Sequence, residues 1–268
     1  MKPISFEENK QIQTEILLEF ADFCDQNDLT YYLAYGTLLG AVRHQGFIPW
    51  DDDIDVWMPR PDYDRFVTLY KEKNKGGRYV VVDPHDPISK HTFVKLFDSK
   101  TVKKEAGMDY KGEYLGIDID LWPLDGEPES EEEFKKWHKK LRRKYFYHFG
   151  STVNLKYGSL KRKCKVIASR IVGGGRNHLL KVTEKLHQPY KYENSKYIGT
   201  VIAFVSNAKN RHLKEDFAET VLLPFEGHQL KAPKEYDKIL TQLYGNYMQP
   251  PPPEQQVTHH SNNVFWKD

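Results

Sequence analysis

Cysteine is almost absent: Cys24 and Cys164 are the only two in 268 residues. That excludes a disulfide-stapled scaffold, and without a CxxC pair or Cys/His cluster it excludes structural zinc. Long apolar runs are missing too, none nearing the ~20 residues a membrane-spanning helix needs. The opening MKPISFEENKQIQ has no apolar stretch of the kind a secretory signal carries. Apolar residues supply only 39%, with a mean hydropathy of -0.72. A surplus of one charge sign is also lacking, since 40 Lys and Arg stand against 38 Asp and Glu. This excludes both an acidic solvating chain and a uniformly basic nucleic-acid coat. The expectation is a reduced, cytoplasmic protein with no nucleic-acid partner.

What is present is aromatic surface, 17 Tyr, 14 Phe and 5 Trp, on a chain long enough to bury a core without staples. Ser5 and Glu8 form a capping-box pattern, and Ile12, Ile16, Leu17, Phe20 and Phe23 recur behind it at helical spacing. This predicts a helix ending near Asp25. Strands are predicted at Leu29–Tyr35, Ile54–Met58, Arg78–Asp83, Thr92–Phe97 and Tyr114–Trp122. Thr37–His44 reads as a short helix between the first two, and Pro61 opens another running toward Gly76-Gly77. Helix and strand alternate, which is an α/β pattern.

The middle of the chain differs. EPESEEE (Glu127–Glu133) suits a helix N-terminus. From Phe134 to Lys165 there are twelve Lys or Arg and no acid, while Phe134, Trp137, Leu141, Tyr145 and His148 share one helical face. This reads as an amphipathic insertion with a cationic outer face. It either meets an anionic glycopolymer or membrane surface or is simply solvated. Gly173-Gly174-Gly175 lacks phosphate-loop spacing and is read as a loop, followed by a helical stretch to about His187. Strands at Tyr197–Val205 and Glu219–Phe225, a last helix opened by Pro233, and an extended tail after the Pro250–Pro253 run complete the reading.

The most informative segment is YGTLLGAVRHQGFIPWDDDIDVWM (Tyr35–Met58), which packs Asp51, Asp52, Asp53 and Asp55 into five positions. Such crowding is costly unless cations compensate it. Strand parity points Asp53 and Asp55 the same way and Asp52 the other, with Asp51 at the turn. Two carboxylates so spaced can jointly hold Mg²⁺, a hard cation that keeps substrate phosphates in its shell. Upstream, Gly36-Thr37 follows a strand and opens a helix, where backbone N–H groups favour phosphate. Arg43 lies one turn on and can offer phosphate a bidentate pair, or be an ordinary surface arginine. Lys95 interrupts the apolar strand FVKLF, either as a phosphate ligand or as the outward face of an edge strand. Asp118 and Asp120 share a side of their strand. Trp50, Trp57 and Trp122 lie beside these acids, as core or as faces for a quaternary ammonium.

The segments YYLAYGTLLGAVRHQGFIPWDDDIDVWM, FVKLFDSKT, GIDIDLWPLDG, LLPFEG and LYGNYMQPPPPE, in this order, resemble the LicD family of phosphocholine transferases, distantly related to fukutin-type sugar-phosphate transferases. The resemblance runs from the first helix to the tail and is weakest between about Glu127 and Tyr197. It implies an α+β, nucleotidyltransferase-like mixed sheet flanked by helices. The core would comprise residues 1–126 and 193–248, with a helical insertion at 127–192 and a tail at 249–268. It also implies Mg²⁺-dependent transfer of phosphocholine, or a related phospho-alcohol, from a CDP-activated donor to a glycan hydroxyl, with Mn²⁺ as a substitute metal. Asp53 and Asp55 match the family's paired metal ligands. Asp120 matches the third carboxylate, completing a two-metal site or taking the hydroxyl proton, with Asp118 an extra acid that leaves the choice between them open. Two other functions compete. One is a nucleotidyltransferase that makes a CDP compound from CTP and releases pyrophosphate. The other is a non-catalytic glycan- or nucleotide-binding protein. His259-His260 falls in the tail without metal-binding spacing.

Overall fold

The computed structural model describes all residues except 90, 106–114, 153–159, 173–179, 182–183, 186–188, 202–207 and 259–261. Helix α1 (Phe6–Gln26) starts at the expected capping box. Ser5 Oγ accepts from Glu8 N, Glu8 reaches back to Ser5 N, and Ile12, Ile16, Leu17 and Phe20 are buried. Strand β1 is only Tyr32–Leu33, because the chain turns into α2 (Tyr35–His44) sooner than the aromatic run suggests. Then come β2 (Asp55–Pro59), α3 (Arg60–Lys73), β3 (Tyr79–Val82), β4 (Val94–Asp98), β5 (Thr101–Glu105) and β6 (Asp118–Glu127). The last of these begins four residues later than predicted and runs on through Pro123 to Glu127.

The central sheet has the order β1-β2-β6-β4-β3. β2 and β6 are parallel and the other neighbours antiparallel, so this is a mixed α+β fold. Helices α1 and α3 cover one face, where Val56, Met58, Ile119, Leu121, Val94 and Leu96 are buried. Alternation sends Asp55, Asp118, Asp120 and Lys95 to the other face. β7 (Tyr197–Gly199) pairs with the far end of β6, and β8 (His212–Leu213) pairs with β7. The predicted strand beyond Val201 lies outside the described residues, as do the triple glycine and the His259-His260 pair.

Helices α4 (Glu131–Thr152) and α5 (Leu160–Val172) occupy the basic middle region. On α4 the predicted apolar face is seen at Phe134, Trp137 and Leu141, which cluster with Val201. The side chains of Tyr145 and His148 lie outside the described set. Near the end of the chain β9 (Thr220–Phe225) pairs with β10 (His228–Pro233). β9 was expected almost to the residue, whereas β10 was not. The two-residue turn between them places Glu226 and Gly227 at φ 49 and 80, the left-handed pair that closes tight hairpins. Pro233 therefore ends a strand, and the final helix α6 (Tyr236–Tyr244) starts three residues later. In the tail, β11 (Asn262–Trp266) pairs with β5, and Trp266 N bonds Lys2 O, tying both termini to one edge.

Candidate active site

The parallel register of β2 and β6 sets Asp55 opposite Asp120, and the antiparallel register of β4 sets Lys95 opposite Asp120. Three adjacent strands thus present one row of charge on the face opposite α1 and α3. Lys95 is not on an edge strand: β4 lies between β6 and β3, and its ammonium is buried. It sits 2.5 Å from both Asp118 Oδ2 and Asp120 Oδ1, while Lys103 of β5 sits 2.5 Å from Asp118 Oδ1.

Asp55 Oδ1 accepts the Trp122 indole N–H at 2.6 Å, and Asp55 N donates to Thr37 Oγ1 at 2.9 Å. The threonine of the Gly36-Thr37 step therefore ties the first turn of α2 to the carboxylate strand. Burial, then the negative charges of Asp53 and Asp120, hold the Asp55 carboxyl well above its ordinary range. Burial also raises Asp120 to about 6, against the opposing pull of Lys95. Asp118 is held low despite its burial, because two ammonium groups face it. Gly36 stands so close to this cluster that a Cβ there would lie 2.6 Å from Asp51 Oδ2. Asp52, expected to face away from Asp53 and Asp55, is buried, and its carbonyl accepts from Gln13 of α1.

The aromatic candidates separate. Trp122 is half-buried beside Asp55 and stacks on Phe93 with centroids 3.7 Å apart. Trp57 is core, packed edge-on against Tyr35 and Phe217. Trp50 meets His44 edge-on. Arg43 Nη1 donates to the Tyr247 carbonyl at 2.8 Å, so its guanidinium binds backbone in this structure.

Sequence reasoning missed Lys103, Tyr35 and Tyr244. Tyr35 opens α2 at φ 44, an uncommon conformation for an aromatic residue. Its hydroxyl bonds Thr200 and its ring is edge-on to Trp122. Tyr244 is 44% exposed, yet desolvation of its hydroxyl and then the charges of Asp55, Asp51 and Asp53 push its phenol up. The φ value is invisible in sequence. Lys103 had a weak signal, a lysine set in a Thr-Val-Lys-Lys alternation.

A metal fits the donor set in kind. Asp53, Asp55 and Asp120 are all hard oxygen donors, and Asp53 and Asp120 add their negative charge to the burial that pushes the Asp55 carboxyl up, a like-charge cost that a divalent cation would relieve. Among the described residues no three acid, histidine or cysteine side chains already converge on one metal position. Asp120 is turned to Lys95, and Asp55 to Trp122.

Residues 28–152, which include this whole row, match the family model described as LicD/FKTN/FKRP, nucleotidyltransferase domain. The chain is 31% identical over 266 residues to the lipopolysaccharide cholinephosphotransferase LicD of Haemophilus influenzae, covering 93% of each. An uncharacterized protein of Rickettsia prowazekii is 29% identical over 119 residues, 41% of this chain and 44% of that one.

Proposed function

Because the chain belongs to the LicD family, we propose that it is a transferase that moves phosphocholine from a CDP-linked donor to a hydroxyl of a glycan. The observation that carries this is the row Asp55–Asp120 on parallel neighbours, with Asp53 two residues upstream. It sits in a chain aligned almost end to end with a cholinephosphotransferase. The glycan class and the choline come from that relative's name.

In this reading the acceptor oxygen attacks the choline-side phosphorus in line. A new P–O bond forms, the bond to the bridging oxygen breaks, CMP leaves with the electron pair, and the hydroxyl proton passes to water. Asp53 and Asp55 hold Mg²⁺, with Asp120 as the third carboxylate. The ion would neutralise the diphosphate and stabilise the leaving oxygen. Thr37 fixes the strand that carries Asp55. Trp122 orients the Asp55 carboxylate and, with Phe93, offers a ring face beside it that suits a quaternary ammonium. Gly36 keeps the approach to Asp51 clear.

Product identity tests the reading. With CDP-choline, Mg²⁺ and a glycan acceptor, the expected products are CMP and a phosphocholine-bearing glycan. Pyrophosphate released from CTP and phosphocholine would instead establish a nucleotidyltransferase.

A further inference from the structure

Asp118 and Asp120 leave β6 on one face, and Lys103 and Lys95 link them in a chain of alternating charge. Lys103, 10% exposed, holds Asp118 Oδ1. Lys95, 5% exposed, holds Asp118 Oδ2 and Asp120 Oδ1. Asp120, 19% exposed, is the end most open to solvent. Both oxygens of Asp118 are committed to ammonium groups in a nearly dry place, where losing one partner leaves an uncompensated charge. Asp120 differs: it meets Lys95 through Oδ1 and lies in register with Asp55. Lys95 and Lys103 face Asp118 and Asp120, whereas Asp55 has the carboxylates of Asp53 and Asp120 as charged neighbours.

We propose that Lys95 is the protein's own counter-ion for Asp120, exchanged for a divalent cation when the site is loaded, and that Asp118 and Lys103 are positioning residues that keep Lys95 in place through the exchange. This rests on the reading of Asp53, Asp55 and Asp120 as the metal set. As Asp120 turns to the metal, Lys95 keeps Asp118 Oδ2 as a partner and stays paired. Lys103 balances the other oxygen, so Asp118 remains a charged anchor. Asp118 is thereby an anchor and Asp120 the third ligand. Outer partners of this kind typically govern affinity or activity by about 10–100-fold.

Mn²⁺ binding, followed by the electron paramagnetic resonance of the free ion, is measured beside kcat and donor KM. Asp120→Asn is expected to weaken Mn²⁺ binding by about 10–100-fold. Asp118→Asn weakens Mn²⁺ binding by less than Asp120→Asn does, because Lys95 then keeps only Asp120 of this pair and competes harder for it, while Lys103→Met lowers kcat by about 10–100-fold and Lys103→Arg restores most of it. Lys95→Met binds Mn²⁺ more tightly, because the competitor for Asp120 is gone. Asp118→Asn losing Mn²⁺ as severely as Asp120→Asn would make Asp118 a ligand and overturn the proposal. So would wild-type kcat in Lys103→Met, or weakened Mn²⁺ binding in Lys95→Met. If Asp118→Asn does not fold, the Lys103→Met and Lys103→Arg pair decides the positioning role. Undiminished Mn²⁺ binding in Asp53→Asn, Asp55→Asn and Asp120→Asn together would refute the metal reading itself, which is a separate failure.

Discussion

Gly36 has no room for a side chain beside the Asp51 carboxylate. Gly36→Ala pushes that group aside, and misplacement by an ångström in such a site costs about 10²-fold in rate. A loss of that order, with an unchanged melting temperature, is the expected result, because the neighbour displaced is the movable end of a side chain. Glu127 and His212 act on stability instead. Burial raises the Glu127 pKa from 4.5 to about 8, against the Arg211 charge nearby. Between those values the native state binds more protons than the unfolded chain, so stability falls as pH rises. Burial lowers His212 from 6.5 to about 4. There the native state binds fewer protons, and stability rises with pH until about 6.5. From pH 6.5 to 8 the Glu127 contribution acts without that opposition. The melting temperature of Glu127→Gln relative to wild type should climb by a few degrees across this window, and a flat difference would refute the assignment.

At the scale of elements, α1 depends on its cap. Ser5→Ala removes the acceptor for Glu8 N and should cost about 1 kcal/mol. That is a drop of roughly 2–4 °C in a chain of this size, measured by calorimetry. This helix was fully legible because its box and period are local. β2 was legible for the same reason, with Asp55 at its start. β1 was overread because Leu29–Tyr35 alternates like a strand, while Tyr35 turns out of it into a positive φ. Lys95 and Lys103 could not be placed, since their partners depend on the β4–β6 register and on how β5 lies beside β6, which strand periodicity does not encode. The same holds for β11, which reaches back to β5 across more than 150 residues. The Arg60–Asp125 clamp, with bonds of 2.7 and 2.9 Å, joins α3 to the end of β6 in the same nonlocal way.

At the scale of the whole molecule, a net charge of +2 averages an acidic cleft and a cationic helical region. On α4 the outward Lys139, Lys140 and Arg142 are exposed, while Lys135 and Lys136 pair with Glu131 and Glu132. Among the described residues no helix is long and apolar enough to cross a membrane. The exposed basic residues of α4 are what lead us to expect this face to bind the anionic surface of a membrane carrying a lipid-linked acceptor. Co-sedimentation with anionic vesicles should be seen at low salt and lost at high salt, and indifference to anionic lipid at low salt would remove this contact. The central claim is that the row of carboxylates performs phosphocholine transfer. Its most direct test follows, by ³¹P NMR, the conversion of CDP-choline to phosphocholine-bearing glycan by wild type and by folded Asp55→Asn in Mg²⁺. A phosphodiester signal growing with CMP is expected in the wild type and none in the variant. Near-normal transfer by Asp55→Asn would contradict it.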